Sequence, residues 1–439
     1  MKNVLFILIM LCTLFHSCDS LDLDNVGYGD SERLKPSEVK AVLYASPDGC
    51  WTTEYAGYKF YFQFKEDGTL IMDSEQMKDP TESAASFMTK GKDTELSIEG
   101  GGHFAYLGSA LSESKLIISE ASNEKILCKG ENTGTVLTLT PSTKAAMDAN
   151  TALKTDFLEK VREYSSLIPG VISYGGNQFV AYYTTYVDYQ NFDIRIKIIT
   201  IEKTSDSDLY GHTKVYTSVL NKEGDDFVLE TPVSEFKTMT TGDKCTITGL
   251  KVLNGSTTVS GQNATNMSVT SNDNAVATFD NPQIKWACAK ESVHGTKGAA
   301  CEEIWNETAS KIEGVTTASL ASIEVFASYG DDNMKISRPL VFWIMNAAGY
   351  STLAFPGSTP GGSIMMNEES DRIAFTKMSS TGISGWGSFP SEEIVAINAK
   401  FTNLLGFWFD SDGLYVAELQ GYIYLLSPTS GMWMKMQNS

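Results

Sequence analysis

Alternation with a period of two dominates this chain. Tyr58, Phe60, Phe62 and Phe64 alternate with Lys59, Tyr61, Gln63 and Lys65, which sets one aromatic row on the inner face of a strand. Glu66-Asp67-Gly68 is a tight hairpin turn into Leu70-Ile71-Met72, with glycine supplying the positive φ. Further short strands are predicted at 95–98, 115–119, 125–128 and 135–140. About eight short strands at this spacing predict a small barrel or sandwich. Trp51, in Gly49-Cys50-Trp51 at the head of the first strand, is expected in the core. Later, Phe192, Ile194, Ile196 and Ile198 alternate with Asp193, Arg195 and Lys197 as a half-buried strand. A last meander runs through Phe407-Trp408-Phe409, the turn Asp410-Ser411-Asp412-Gly413, 414–416, 422–426 and Trp433-Met434.

Helical spacing is confined to three places. Pro36 suits a first helical position, and Val39, Val42 and Leu43 share a face, predicting a helix over 36–45. The stretch from Thr143 to Leu167 is the strongest helix, with Ala145, Ala146, Ala149, Leu153, Phe157, Leu158 and Val161 as its apolar side and Pro169-Gly170 as its stop. Pro390-Ser391-Glu392-Glu393 begins a short helix carrying Ile394, Ile397 and Phe401. The chain therefore reads as mainly β with a few helices. Its expected parts are a signal segment (1–17), an acidic tether (18–30), an N-terminal domain of helix plus lipocalin-like small barrel or sandwich ending in the long helix (31–170), and a second β-rich domain (171–439).

The N-terminus changes the picture from fold to address. Lys2 followed by an apolar run from Val4 to Phe15 has the length of a signal-peptide core and is too short to span a bilayer as a helix. The run ends Leu14-Phe15-His16-Ser17-Cys18, which resembles a bacterial lipobox, although Phe15 and His16 stand where leucine and a small residue are usual. That resemblance implies that Cys18 is the first mature residue and carries the lipid. Asp19, Asp22 and Asp24 follow at once and look like the signal that exports such lipoproteins to the outer face of the outer membrane. The expectation is a chain anchored to the membrane by lipid and not threaded through it.

Composition narrows the chemistry. With 54 acidic and 34 basic residues the net charge is −20, which argues against nucleic acid as a partner. Loss of residues 1–17 removes Lys2 and no acid, leaving a mature net of −21. The remaining histidines, His103, His212 and His294, are scattered without zinc spacing, so no metal or other cofactor is expected. Cys288 and Cys301 are the expected disulfide, closing a polar glycine-containing loop. Cys50, Cys128 and Cys245 sit in apolar, strand-like settings that suit buried free thiols. Gly382-Ile383-Ser384-Gly385-Trp386-Gly387 fails as a nucleophile elbow because Trp386 stands where glycine is required. No catalytic residue is assigned, and the odds tilt away from an enzyme.

Several segments together resemble a family of Bacteroidetes lipoproteins of unknown function. They are Glu32-Arg33-Leu34, Ala45-Ser46-Pro47-Asp48-Gly49-Cys50-Trp51, Lys65-Glu66-Asp67-Gly68-Thr69, Lys125-Ile126-Leu127-Cys128-Lys129-Gly130-Glu131-Asn132-Thr133-Gly134, Leu139-Thr140-Pro141 and the long helix with Phe157-Leu158. The resemblance covers about residues 18–165 and implies an accessory component of a nutrient-acquisition locus, beside an outer-membrane transporter and its glycan-capturing lipoprotein. It carries over no catalytic residue.

What remains for binding is aromatic surface, since sugar rings stack on flat side chains. Trp386 lies among Gly382, Gly385, Gly387 and Ser388 and is the first candidate platform, the alternative being a staple of its own loop. Trp305, in Glu302-Glu303-Ile304-Trp305-Asn306-Glu307, is the second, with helix packing as its alternative. Trp343, Trp408, Trp433, Tyr182, Tyr183 and Tyr186 are expected in the core. The expected function is non-catalytic capture of polysaccharide or oligosaccharide at the cell surface, in company with a transporter complex. Two other readings stay open: a polysaccharide hydrolase using a carboxylate pair, and a structural or adhesion subunit offering an unpaired strand edge.

Overall fold

A computed structural model describes residues 33–208, 211–239 and 242–272, and beyond these 285–289, 306, 309–310, 319–326, 340–346, 349–355, 364–369, 371–377, 384–386 and 406–438. The fold is mainly β and forms two β-rich units, 1–160 with 189–192, and 161–188 with 193–439. The expected helix over 390–401 lies outside the described residues.

In the first unit, strands β1 (Cys50–Tyr55), β2 (Tyr58–Phe64), β3 (Thr69–Ser74), β4 (Thr81–Lys90), β5 (Asp93–Ile98), β6 (Lys115–Ala121), β7 (Ile126–Gly130) and β8 (Val136–Pro141) run up and down in sequence order and close into a barrel. Closure rests on a short antiparallel ladder, Trp51 opposite Pro141 and Thr52 opposite Thr140. Two further bonds extend it: Thr53 Oγ1 donates to the Thr138 carbonyl at 2.9 Å, and the Ser142 amide donates to the Cys50 carbonyl at 2.9 Å. Closure leaves this sheet without an edge. β4 changes partner along its length, pairing with β3 over Thr81–Ala84 and with β5 over Ala85–Lys90. Its sequence, Thr-Glu-Ser-Ala-Ala-Ser-Phe-Met-Thr-Lys, gives no strong alternation, and no residue of the strand is fully buried. That is why this strand escapes a reading of hydrophobic period.

The barrel is solid. Phe60, Phe62, Phe64, Leu70, Met72, Leu96, Ile98, Leu116, Ile118, Ile126, Leu137 and Leu139 fill its interior, and Trp51 is completely buried among them. Helix α1 (Pro36–Ala45) contributes Val39 and Leu43 at one end, where the Trp51 indole donates to the Leu43 carbonyl at 2.9 Å. The opposite end is stopped by the turn over Glu99–Leu107. There Gly100, Gly101 and Gly102 all take positive φ, and a Cβ on Gly102 would sit 2.3 Å from Met72 Sδ. Only glycine lets the chain come in that close. The turn drives Phe104 into the barrel, edge-on to Tyr55 at 5.6 Å and 4.8 Å from the Phe60 ring. The sequence resemblance to lipocalins thus holds for the strand plan, while the space a ligand would take is occupied by side chains.

Helix α2 (Lys144–Tyr164) corrects its predicted face. Met147, Asn150, Lys154, Phe157 and Tyr164 are buried, whereas Ala145, Ala149, Leu153 and Leu158 are exposed. A buried carboxylate, described below, outbids the leucines for the inner side of the helix.

In the second unit an eight-stranded antiparallel sheet holds, in spatial order, β15 (Ser256–Ser260), β14 (Lys244–Leu253), β13 (Asp226–Lys237), β12 (His212–Glu223), β11 (Asp193–Glu202), β10 (Gln178–Asp188), β9 (Gly170–Tyr174) and β16 (Met267–Ser271). Its two edges, β15 and β16, are drawn from the Ser/Thr/Asn-rich stretch after Asn254 and lie close together, so the sheet is nearly a closed barrel. A ten-stranded sheet includes β17 (Lys285–Ala289), β18 (Ser319–Phe326), β19 (Leu340–Asn346), β20 (Gly349–Phe355), β21 (Ile364–Glu369), β22 (Arg372–Lys377), β23 (Ser384–Trp386), β24 (Leu414–Leu419), β25 (Tyr422–Leu426) and β26 (Trp433–Asn438). Val171, Phe179, Tyr182, Ile199 and Ile201 of the first sheet share one core with Tyr415, Ala417, Leu419, Tyr424, Leu426 and Trp433 of the second. Phe179, Tyr424 and Trp433 form a continuous stack, with centroids 4.5 and 5.9 Å apart.

Phe104→Ala opens a cavity at the stopped end of the barrel and should cost about 3–5 kcal/mol of stability, read by urea unfolding. A loss below about 1 kcal/mol would show that the turn covers the barrel without filling it.

Candidate functional site

The densest polar cluster in the described residues is built on the last two residues of β3. Leu70 and Met72 point into the barrel core, and Asp73 on the opposite face is buried beneath α2. Its carboxylate pairs with the Lys154 ammonium and accepts from the Ser74 amide at 2.8 Å, the Asn150 side-chain amide at 2.8 Å and the Thr151 hydroxyl at 2.9 Å. Lys154 also donates to the Lys78 carbonyl at 2.7 Å. His103, carried in by the triple-glycine turn, is wholly buried beside them, with Nε2 4.0 Å from Asp73 Oδ1.

Ser74, His103 and Asp73 suggest a hydrolytic triad by residue type, and the geometry rejects it. His103 Nε2 lies 2.8 Å from the Asp79 carbonyl, which can only accept, so Nε2 carries the proton. Nδ1 then accepts from the Ser74 hydroxyl at 2.9 Å. A triad needs a carboxylate on the second nitrogen and a nucleophile open to substrate. Here a backbone carbonyl takes that nitrogen, and Ser74 has no exposed surface. Burial holds the imidazole below its ordinary value of 6.5, which keeps it neutral. The cluster positions α2 on the barrel and performs no chemistry on an outside molecule.

A second buried carboxylate explains the Lys-Gly-x-x-Thr-Gly motif. Glu113 accepts from the amides of Asn132 and Thr133 at 2.9 and 2.7 Å and from the Thr133 hydroxyl at 2.6 Å. A Cβ on Gly130 would lie 2.2 Å from Glu113 Oε1, so glycine there is space for the carboxylate. The motif is a hairpin lock. Nearby, Lys90 and Lys115 both reach Glu95 and Glu131 at 3.2–3.9 Å. Burial opposes ionisation of Glu95, yet the Ser97 hydroxyl and the two ammonium groups outweigh it and hold its carboxyl below its ordinary value of 4.5.

In the second unit, Lys197 donates to the Tyr415 hydroxyl at 2.6 Å and to Asp412 Oδ2 at 3.1 Å. Arg372 donates to the Asp412 carbonyl at 2.8 Å and stands 5.8 Å from the centroid of the Tyr415 ring. Tyr182 donates to Asp371 at 3.3 Å. Cations and carboxylates balance, and the cluster ties two sheets together.

The residues singled out from sequence are not brought together. Cys18, Cys301 and Trp305 lie outside the described residues. Cys288 stands on β17 opposite Ile323, and Trp386 on the edge strand β23 opposite Thr352. Cys50, Cys128 and Cys245 are free and buried, their thiols pushed up by burial to about 11, 12 and 11. Trp408 and Trp433 are core, as are Tyr182 and Tyr183, whereas Trp343 is half-buried and donates to Glu324 at 2.5 Å. Tyr186 corrects its expectation: it is exposed, because β10 runs out past the core toward its hairpin tip. At that tip Tyr189 is 54% exposed, followed by exposed Gln190 and Asn191 and by Phe192, whose φ is +54°. Phe157 of α2 meets both rings edge-on, at 6.2 and 5.5 Å. Sequence reasoning missed this tip; Tyr-Gln-Asn-Phe between two strands was the signal.

Among the described residues no group of three or more His, Cys, Asp or Glu side chains could hold a metal ion, and no helix is long and apolar enough to cross a membrane. No protein-family model matches the chain, and no curated protein matches it in sequence. Among solved structures, a DNA polymerase III subunit beta sliding clamp from Bartonella birtlesii is 7% identical, covering 91% of this chain and 94% of the clamp, with a TM-score of 0.13. The corresponding protein from Borrelia burgdorferi is 9% identical, covering 92% and 95%, with a TM-score of 0.12. Scores of this size carry no argument about fold or function.

The buried histidine sets a pH dependence. Above pH 6.5 the imidazole is neutral in folded and unfolded chains alike; as pH falls below 6.5 the unfolded chain takes up a proton that the folded barrel resists. Stability should therefore fall in that window, and again below 4.5 as Glu95 protonates more readily in the unfolded chain. Urea midpoints measured across pH should show both steps, with the upper one absent in His103→Gln. An unchanged upper step in that variant would assign it to another group.

Proposed function

We propose that this protein is a lipid-anchored lipoprotein of the outer membrane whose folded part is a non-catalytic accessory module for glycan capture. The observation that carries the binding half of this reading is the tip of the β10–β11 hairpin. Tyr189 presents more than half of its surface, and its ring is braced edge-on by Phe157. A flat, exposed and braced ring suits stacking on the apolar face of a sugar. Trp386 is the second platform, on a strand at the margin of its sheet.

Two further features support the reading. The barrel interior is packed with side chains and stopped at both ends, so recognition falls to outer surfaces. The one Ser/His/Asp grouping in the barrel is sealed and structural. The anchoring half rests on the sequence alone, on Cys18 and the three aspartates that follow it. A transporter complex of the same membrane is the partner this reading implies.

Two measurements test the halves separately. Cys18→Ala should move the protein from the membrane to the soluble fraction and abolish incorporation of a labelled fatty acid; retention in the membrane with unchanged labelling would refute the anchor. The chain without residues 1–18, applied to a polysaccharide and oligosaccharide array, should bind at least one glycan class. Tyr189→Ala and Trp386→Ala should each weaken that binding by about 1–3 kcal/mol if its ring is a stacking platform. No binding to any glycan would sink the capture reading.

A further inference from the structure

The Asp73–Lys154 pair is held in the fixed, dry geometry that a condensation between an amine and a carboxyl group needs. Asp73 has no exposed surface and Lys154 only 5%. The Lys154 nitrogen is fixed from two sides, by the carboxylate and by the Lys78 carbonyl. Both carboxylate oxygens are engaged by further donors, Oδ1 by the Ser74 amide and Oδ2 by the Asn150 amide and Thr151 hydroxyl. Neutral His103, with its proton committed to the Asp79 carbonyl, closes the remaining side without adding a charge. We propose that Lys154 and Asp73 condense into an intramolecular amide that cross-links α2 to β3.

The step balances without an outside reagent. The ammonium passes one proton to the carboxylate, giving an amine and a carboxylic acid. The amine nitrogen attacks Cγ, forming the C–N bond and a tetrahedral centre. A second proton leaves nitrogen for the departing oxygen, the C–O bond breaks, and one water is released. The amide keeps the third proton, with the Lys78 carbonyl in place to accept it. One physical term lowers the barrier and two favour the product. Donors already aimed at the carboxylate oxygens stabilise the charge that develops on the tetrahedral centre, as an oxyanion hole does. Fixed reactants reach effective molarities of about 10⁵–10⁸ M, against which a single lost water in a dry site competes poorly. Condensation also removes two charges whose desolvation opposes burial. The cross-link would join residues 81 positions apart.

Tryptic mapping of the full chain by mass spectrometry tests this directly. Trypsin does not cut after an acylated lysine, so residues 66–78 and 145–160 should emerge as one branched peptide, lighter by one water than its two parts. Separate peptides 66–78, 145–154 and 155–160, at their unmodified masses, would overturn the proposal. Lys154→Arg keeps a cation at the site and should abolish the water loss. If the loss persists there, it belongs to a cyclic imide at Asp73 and the amide is refuted. Should that variant fail to fold, the branched peptide of the unaltered chain decides alone.

Discussion

Burial of one carboxylate organises the first unit. Asp73 leaves β3 on the side away from the aromatic core, and a charge so enclosed must be matched or it is ruinous. Lys154, Asn150 and Thr151 match it, and all three lie on α2. The helix consequently turns polar residues inward and leaves Leu153 and Leu158 in solvent. His103 reaches the same place only because three glycines in succession bend the β5–β6 connection tightly over Met72. The same bend delivers Phe104 to the barrel. Polar anchor and apolar stopper are thus set by one turn.

That arrangement decides how the barrel is filled. A barrel of this strand plan usually becomes a vessel when its interior is left open at one end. Here α1 and Phe104 fill the two ends and aromatic rings fill the middle, so the interior is occupied by side chains. At the β10–β11 tip, exposed Tyr189 is held edge-on by Phe157.

The sequence was most legible where one face is apolar and the other polar. Phe60, Phe62 and Phe64 are buried in the order their alternation predicts, and α1 begins at Pro36 with Val39 and Leu43 inward. Trp51 is core, as its neighbours implied. Legibility failed where polar groups take inner positions. The buried side of α2 reads as solvent-facing because its key members are Asn150 and Lys154, whose partner is 81 positions away. β4 fails for the opposite reason, since a strand with little to bury leaves little periodicity. Glu113 and Gly130 are similar: the lock between them depends on a distance no spacing rule carries. The exposed tyrosines were obscured because Tyr182, Tyr183 and Tyr186 lie on one strand, and only its length beyond the core separates buried from exposed.

The claim on which the account turns is that Asp73, and not the leucines, holds α2 in place. Equilibrium unfolding of Asp73→Ala beside Leu153→Ala measures it most directly. Removing the carboxylate should cost about 3–5 kcal/mol by stranding Lys154, while truncating the exposed leucine should change stability by no more than about 0.5 kcal/mol. A Leu153→Ala loss equal to or larger than that of Asp73→Ala would contradict the account and restore the apolar face that the sequence suggests.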